Sequence, residues 1–310
     1  MAIEPGKYMW HRGDWCLWED AQLHMTAHVL HYGSSVFEGI RCYDTPQGPA
    51  VFRLREHMVR LCNSCKLMRM GPLPFDVDWL VETTLELLRK NGKRECYIRP
   101  LAYRGAGQLG VNPMGSPVEL TIMAYGWGQY LGEGAVENGV EACVSSWRRI
   151  DSSSNQPIGK IGGQYVNSQL ASIEAKMGGF TEGILLDSVG HVAEGAGQNI
   201  FLVWDGVLWT PPEASSILVG ITRDTVLHLA EDHGLKVRVE PVSREMLHLA
   251  EEAFFTGTAS EITPIKAIDR LPVGDGKPGP ITKALQKEFF AYVRGQVPDR
   301  HGWLAPVGLA

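Results

Sequence analysis

No uninterrupted apolar run in this sequence approaches the roughly 18 residues that read as a membrane span, so a membrane-embedded chain is not expected. There is no basic stripe either. Its 29 lysines and arginines stand against 35 aspartates and glutamates, and the net charge of −6 argues against nucleic acid as a main partner. The stretch from Met1 to Trp10 lacks the basic and then apolar segments of a secretory signal. Cysteine is sparse: the 6 residues scattered through the first half do not form a disulfide framework for a chain of 310. Cys62 and Cys65 make a C-x-x-C that could be a redox pair. They fall, however, on the helically spaced apolar stripe Leu54, Met58, Leu61, Cys65 and Met68, where buried small hydrophobes are the better reading. No second pair or histidine cluster completes a zinc site, and no metal is expected. Together these absences point to a reducing cytoplasm. Two more exclusions concern architecture: there is no repeat of fixed period, and Gly195-Ala196-Gly197 does not follow the dinucleotide fingerprint, so NAD is not indicated.

What remains is the composition of a globular α/β protein, 44% hydrophobic and 21% charged, long enough for two domains or one large one. The first 50 residues alternate short apolar runs with turn signals, as a meander of strands would. Helices are predicted over the region holding Arg55, Arg60 and Arg69, and from the N-cap Asp76 to Asn91-Gly92. Cys96–Tyr103 and Val118–Tyr125 read as strands around the glycine-rich turn Gly105–Pro113. Gly126-Trp127-Gly128-Gln129-Tyr130-Leu131-Gly132-Glu133-Gly134 then marks a change in composition. The expected division is a small domain over 1–124, a linker over 125–134 and a larger domain over 135–310. In the second half Asp205-Gly206 joins two apolar runs as a type I′ hairpin signal. Helices are predicted from about Thr222 to His233 and from near Pro280.

Four stretches could carry chemistry. In Gln156–Tyr165, Lys160 stands among Gly159, Gly162 and Gly163, where small residues let backbone approach a ligand and a desolvated lysine can act as nucleophile and base. Taken alone, the stretch reads more readily as a flexible loop with a solvated lysine, the commoner case. Leu218–Asp224 enters a helix whose free N–H groups and dipole suit an anion, with the Thr222 hydroxyl in support; ordinary capping fits as well. Thr256–Glu261 is a small-residue turn whose N–H groups could cradle an anion or simply face solvent. Ala193–Asn199 sets Glu194 among small residues, where it could pair with a protonated ring nitrogen or sit in a surface turn.

The order of these stretches closely resembles the fold-type IV pyridoxal-phosphate enzymes, and among them the branched-chain amino acid aminotransferases. The resemblance covers nearly the whole chain. It rests on His31-Tyr32-Gly33 through Phe37-Glu38-Gly39-Ile40-Arg41, Tyr97-Ile98-Arg99-Pro100, Gly110-Val111-Asn112-Pro113 and Trp127-Gly128. It continues through Lys160 with Gly162-Gly163, Glu194-Gly195, Gly220-Ile221-Thr222 and Gly257-Thr258-Ala259. It implies a two-domain α/β fold of α+β type with pyridoxal 5′-phosphate at the domain interface. The implied reaction is ping-pong transamination of leucine, isoleucine or valine with 2-oxoglutarate.

Residue roles follow from the same resemblance. Lys160 would hold the cofactor as a Schiff base and then move the proton between Cα and C4′. Glu194 would pair with the pyridinium nitrogen, Tyr165 with the 3-oxygen, and Leu218 would pack on the ring. Arg60, the N–H groups of Ile221 and Thr222, and the hydroxyls of Thr222 and Thr258 would clamp the phosphate. The substrate carboxylate would meet Tyr97 and the N–H groups of Thr258 and Ala259. Phe37, Trp127, Tyr130 and Tyr165 would line the side-chain pocket, and Arg99, with Tyr32 and Tyr130, would receive the distal carboxylate of glutamate. Tyr32 and Val111 would come from a second subunit, which implies a homo-oligomer, a dimer at least, with hexamers also known among relatives. The sequence departs from the pattern at Ala193, where serine is common, and at Gln198, where an acid is common. Other fold-type IV activities remain as alternatives: D-amino acid or R-amine transamination and aminodeoxychorismate lysis. A non-catalytic relative is another.

Overall fold

The computed structural model describes residues 3–128 and 130–309. The chain divides into two compact units, the first made of Met1–Gly128, Gly159–Gly163 and Ala291–Ala310, the second of Gln129–Ile158 and Gln164–Phe290. This departs from the expected division in two places. Residues 159–163, with Lys160, and the last twenty residues join the first unit instead of the larger second one. Backbone pairing is the reason: Ile161 bridges to Val36, and Leu304–Pro306 pairs antiparallel with Ala50–Phe52. The change of unit falls inside the expected linker, of which Gln129 lies outside the described residues.

Among the described residues the first unit carries a nine-stranded sheet centred on the antiparallel pair Cys96–Arg104 and Val118–Gly126. Ile40–Tyr43 and Ser35–Phe37 both hydrogen-bond to Cys96–Arg104. Helices Leu54–Leu67 and Val77–Asn91 cover the sheet with Leu54, Met58, Leu61, Cys65, Leu80, Leu87 and Leu88, all buried in one core. The second helix begins as predicted, with the Asp76 side chain accepting from the Trp79 N–H at 2.8 Å, and stops at Gly92 in the left-handed region. Cys65 behaves as an apolar core residue, since burial pushes its thiol up to about 12. A short helix, His28–Tyr32, interrupts the expected meander of strands.

The second unit is built on another nine-stranded sheet among the described residues, with Val140–Arg148, Glu261–Ile268, Glu252–Gly257 and Asn199–Trp204 at its centre. The Asp205-Gly206 hairpin forms as its dipeptide predicts, with φ of 52° and 66°, and joins Asn199–Trp204 to Val207–Thr210. Tyr165–Met177 and Ile221–Asp232 are the helices that open beside the stretches singled out above. Among the described residues no helix is long and apolar enough to cross a membrane, and no His, Cys, Asp and Glu group is arranged to hold a metal ion.

Candidate functional site

In the first unit the Lys160 segment is sewn to its surroundings by backbone. The Phe37 N–H donates to the Lys160 carbonyl at 3.1 Å, the Lys160 N–H donates to Ser64 Oγ at 3.1 Å, and the Gly163 N–H donates to the Gly33 carbonyl at 3.0 Å. The glycines have a packing reason. A β-carbon on Gly162 would stand 2.2 Å from Ser35 Oγ, and one on Gly33 would stand 2.8 Å from the Gly163 Cα. These close approaches are to protein backbone and side chain. They replace the picture of a loose loop with a segment held against Gly33–Phe37. Lys160 is half-buried, with its Nζ 5.0 Å from the Phe37 ring centre.

One face of helix Leu54–Leu67 presents His57, Arg60 and Ser64, three and four residues apart, toward this segment. Glu38, fully buried in the turn between strands Ser35–Phe37 and Ile40–Tyr43, accepts from Arg60 Nε at 2.6 Å through one oxygen. Its other oxygen accepts from Arg60 Nη2 and from His57 Nδ1, each at 2.7 Å. Burial alone would push the Glu38 carboxyl up, but the Arg60 guanidinium and His57 outweigh it and hold the group far below the usual carboxylate range. Burial pushes His57 down despite the Glu38 charge, with Arg60 and Lys160 acting in the same direction. His57 is therefore a neutral imidazole whose Nδ1–H donates to an ionised Glu38.

Beside this network lies an aromatic cluster. The Arg99 guanidinium sits 4.7 Å from the Phe37 ring centre and 5.3 Å from that of Tyr97, and its Nη2 donates to the Tyr97 hydroxyl at 3.5 Å. Trp127 packs edge-on against Tyr97, with ring centres 4.6 Å apart. Tyr32 and Val111 are exposed, at 46% and 82%, and both lie near His28. The His28 ring is 4.5 Å from that of Tyr32, and its Nε2 bonds the carbonyl of Gly110, the neighbour of Val111, at 2.7 Å.

In the second unit Glu194 is buried on strand Val192–Gly195 and accepts three hydrogen bonds. One oxygen takes Arg149 Nε at 2.7 Å; the other takes Asn199 Nδ2 and the Leu218 N–H, each at 3.0 Å. Asn199 also donates to the Leu218 carbonyl at 2.9 Å, so one side chain joins Glu194 to the approach of helix Ile221–Asp232. That helix has Gly220 at its N-cap and no side-chain cap, and the Ile221 and Thr222 N–H groups lie in its first turn, where the helix dipole suits an anion. Thr258 and Ala259 lie in the turn after Glu252–Gly257, and Asn199 pairs opposite Thr256. The buried oxygens Thr256 Oγ1, Ser260 Oγ and Gln198 Oε1 find no hydrogen-bond partner among the described residues. Gln198 donates instead through Nε2 to the buried Glu182 at 2.6 Å. The Tyr130 hydroxyl lies 3.3 Å from where a β-carbon on Gly197 would stand, and Tyr165 is the first residue of helix Tyr165–Met177.

Of the residues predicted from sequence, the first unit thus gathers Lys160, Phe37, Tyr97, Arg99 and Trp127, with Arg60 on the helix face beside Lys160. The second gathers Glu194, Leu218, Ile221 and Thr222 around Asn199, with Thr258 and Ala259 on the next strand turn. Glu38, His57, Ser64 and Arg149 were missed. Only the helical spacing of His57, Arg60 and Ser64 could have drawn attention to any of them.

Comparison with known proteins gives one consistent picture. The family model described as amino-transferase class IV matches residues 35–268. The branched-chain-amino-acid aminotransferase of Salmonella typhimurium is 47% identical, over 99% of each chain. The crystal structure of the Escherichia coli branched-chain amino acid aminotransferase superposes with a TM-score of 0.95 at 48% identity, covering 97% of this chain and 99% of that one. The branched-chain amino acid aminotransferase from Thermobaculum terrenum, solved in its PLP-form, gives a TM-score of 0.92 at 40% identity, over 99% and 100% of the two chains.

Proposed function

This chain belongs to the class IV aminotransferases, and from that membership we propose that it moves amino groups from leucine, isoleucine and valine to 2-oxoglutarate, releasing branched 2-oxo acids and L-glutamate. The observation that carries the reading is near-full-length similarity to branched-chain aminotransferases in a chain that keeps Lys160, Glu194 and Arg60 in organised surroundings. The cofactor is pyridoxal 5′-phosphate. The residues present fit that group. The first turn of helix Ile221–Asp232 and the buried hydroxyls of Thr256 and Ser260, partnerless among the described residues, suit a phosphate, and the Glu194 carboxylate is held rigidly enough to meet a ring nitrogen. When bound, the cofactor supplies an electron sink for the pair left behind as the substrate Cα proton departs.

The chain's own groups do the rest. Lys160 Nζ would hold the cofactor covalently and, once the substrate amine has displaced it, the freed amine would move the proton between Cα and C4′ as a positioned base and acid. Glu194, fixed by Arg149, Asn199 and the Leu218 N–H, would keep the ring nitrogen's proton in place. Tyr165 would bond the 3-oxygen, and Leu218 would pack on the ring. Arg60, the N–H groups of Ile221 and Thr222, and the hydroxyls of Thr222 and Thr258 would hold the phosphate. Tyr97 and the N–H groups of Thr258 and Ala259 orient the substrate carboxylate.

The pocket must take an isobutyl group in one half of the ping-pong cycle and a carboxyethyl group in the other. Phe37, Trp127, Tyr130 and Tyr165 supply apolar area, while Arg99, with tyrosine hydroxyls from Tyr32 and Tyr130, meets the distal carboxylate. The Arg99–Phe37–Tyr97 stacking supports this, since a guanidinium held on aromatic faces serves both demands. One methylene is worth only about 1–3 kcal/mol of discrimination, so leucine, isoleucine and valine should be poorly separated. A homo-oligomer, at least a dimer, is part of the proposal, with Tyr32 and Val111 reaching the pocket of a second subunit. The exposure of Met25, Leu30, Leu109 and Val111 supports such a contact. A cytoplasmic setting belongs to the proposal as well. Steady-state rates on leucine, isoleucine, valine, phenylalanine and D-alanine with 2-oxoglutarate test the reading; a preference for D-alanine would overturn it.

A further inference from the structure

Of the ion cluster around Arg60, Glu38 and His57 make no contact that the proposed reaction requires. The Glu38 carboxylate is fully buried and spends both oxygens on one edge of the Arg60 guanidinium, at 2.6 and 2.7 Å. A side-on pair of this kind fixes the guanidinium plane as well as its position. His57, equally buried, donates to the same carboxylate at 2.7 Å, a second tether that keeps Glu38 from swinging away from Arg60. The helix face that carries His57 and Arg60 also carries Ser64, whose hydroxyl oxygen receives the Lys160 N–H. One rigid face therefore sets both the lysine backbone and the arginine.

We propose that Glu38 is a positioning residue for the cofactor's phosphate: it locks the Arg60 guanidinium by its Nε–Nη2 edge so that the opposite side faces the phosphate, and His57 locks Glu38. This rests on the reading of Arg60 as a phosphate ligand. Glu38 touches neither substrate nor cofactor. Its contribution is selective for ligands that bear the phosphate, because an aldehyde lacking that group makes no use of Arg60.

The test is equilibrium binding of pyridoxal 5′-phosphate and of pyridoxal to the full-length apoprotein, read from the visible absorbance band of the bound ligand. Glu38→Gln puts an amide donor against donors. It is expected to weaken pyridoxal phosphate by about 10–100-fold, the scale of loss when a group that orients a metal ligand is removed, while moving pyridoxal by less than about twofold. Glu38→Asp keeps the charge one methylene short. It should fold even if the glutamine variant does not, and should lose the same preference for the phosphorylated ligand. Thermal unfolding of each apoprotein shows whether a loss reflects folding. An unchanged ratio in a folded Glu38 variant, or equal weakening of both ligands, overturns the proposal. Arg60→Ala separates the two ideas. If it abolishes the preference while the Glu38 variants keep it, the positioning role alone is wrong. If it leaves the preference intact, the phosphate reading of Arg60 falls, and the proposal with it.

Discussion

A β-carbon placed on Gly39 would stand 1.8 Å from the hydroxyl oxygen of Tyr97. The ring carbon that bears the hydroxyl would be only 2.7 Å away, and the ring is buried against Trp127 and Tyr125, so it cannot simply yield. Gly39→Ala is therefore expected to displace Tyr97 from the position proposed to meet the substrate carboxylate. Overpacking of this kind costs about 1–3 kcal/mol, and KM for leucine should rise by a comparable free energy. The cofactor's absorbance should be unaffected. Urea denaturation and steady-state kinetics measure the two effects; a normal KM would show that Tyr97 does not meet substrate.

Lys160→Ala should abolish covalent, borohydride-fixable attachment of the cofactor. Turnover should fall by at least the roughly 10²–10⁴-fold that a positioned acid–base group contributes. Mass spectrometry after borohydride treatment reads the first effect and single-turnover kinetics the second. Normal turnover would remove Lys160 from the mechanism.

The Arg149–Glu194 pair is almost wholly shielded from water, its side chains 8% and 7% exposed. Arg149→Leu strands a buried carboxylate and should cost about 3–5 kcal/mol of stability. Adding Glu194→Gln should restore most of that stability without restoring activity. Denaturation of the single and double variants gives the coupling energy. Full activity in the double variant would show that Glu194 serves packing alone.

Two groups make the fold acid-sensitive in separate ranges. His57 is held below its ordinary value of 6.5 by burial, so as pH falls through that value the unfolded chain takes a proton that the folded one refuses, and stability declines. Glu38 is depressed by Arg60 and His57 against its burial. Its contribution is present above the ordinary value of 4.5 and is lost as pH falls below it toward the depressed folded value. His57→Asn should flatten the stability profile between about pH 6.5 and 5 relative to the parent chain, leaving the lower-pH loss in place. Urea melts across that range check the difference; parallel profiles would contradict it.

The parts of this protein written locally were legible in its sequence. Asp76 capped its helix, Asp205-Gly206 made its hairpin, and the apolar stripe through Cys65 became core, because each depends on residues a few positions apart. The order of Lys160, Glu194, Ile221-Thr222 and Thr258 pointed to the family through resemblance, although each stretch alone read as well as loop or cap. Glu38 and Arg149 stayed invisible for a physical reason. Their meaning lies in partners 22 and 45 residues away, and a lone buried carboxylate or guanidinium has no local signature. The grouping of residues 159–163 and of Leu304–Pro306 with the first unit was hidden on the same ground. The bridge between Val36 and Ile161 is a long-range pairing that composition does not announce.

That pairing, with the strand Leu304–Pro306 laid along Ala50–Phe52, has a consequence for how the protein is made. A nascent chain emerging from the ribosome cannot finish the first unit when residue 128 appears, because one insert arrives some thirty residues later and the strand Leu304–Pro306 only after the whole second unit. The earlier-made unit is thus the later-completed one. Until Leu304–Pro306 has emerged, one edge of Ala50–Phe52 stays unpaired and open to chaperones or neighbouring chains, and a truncation before Leu304 would leave it so permanently.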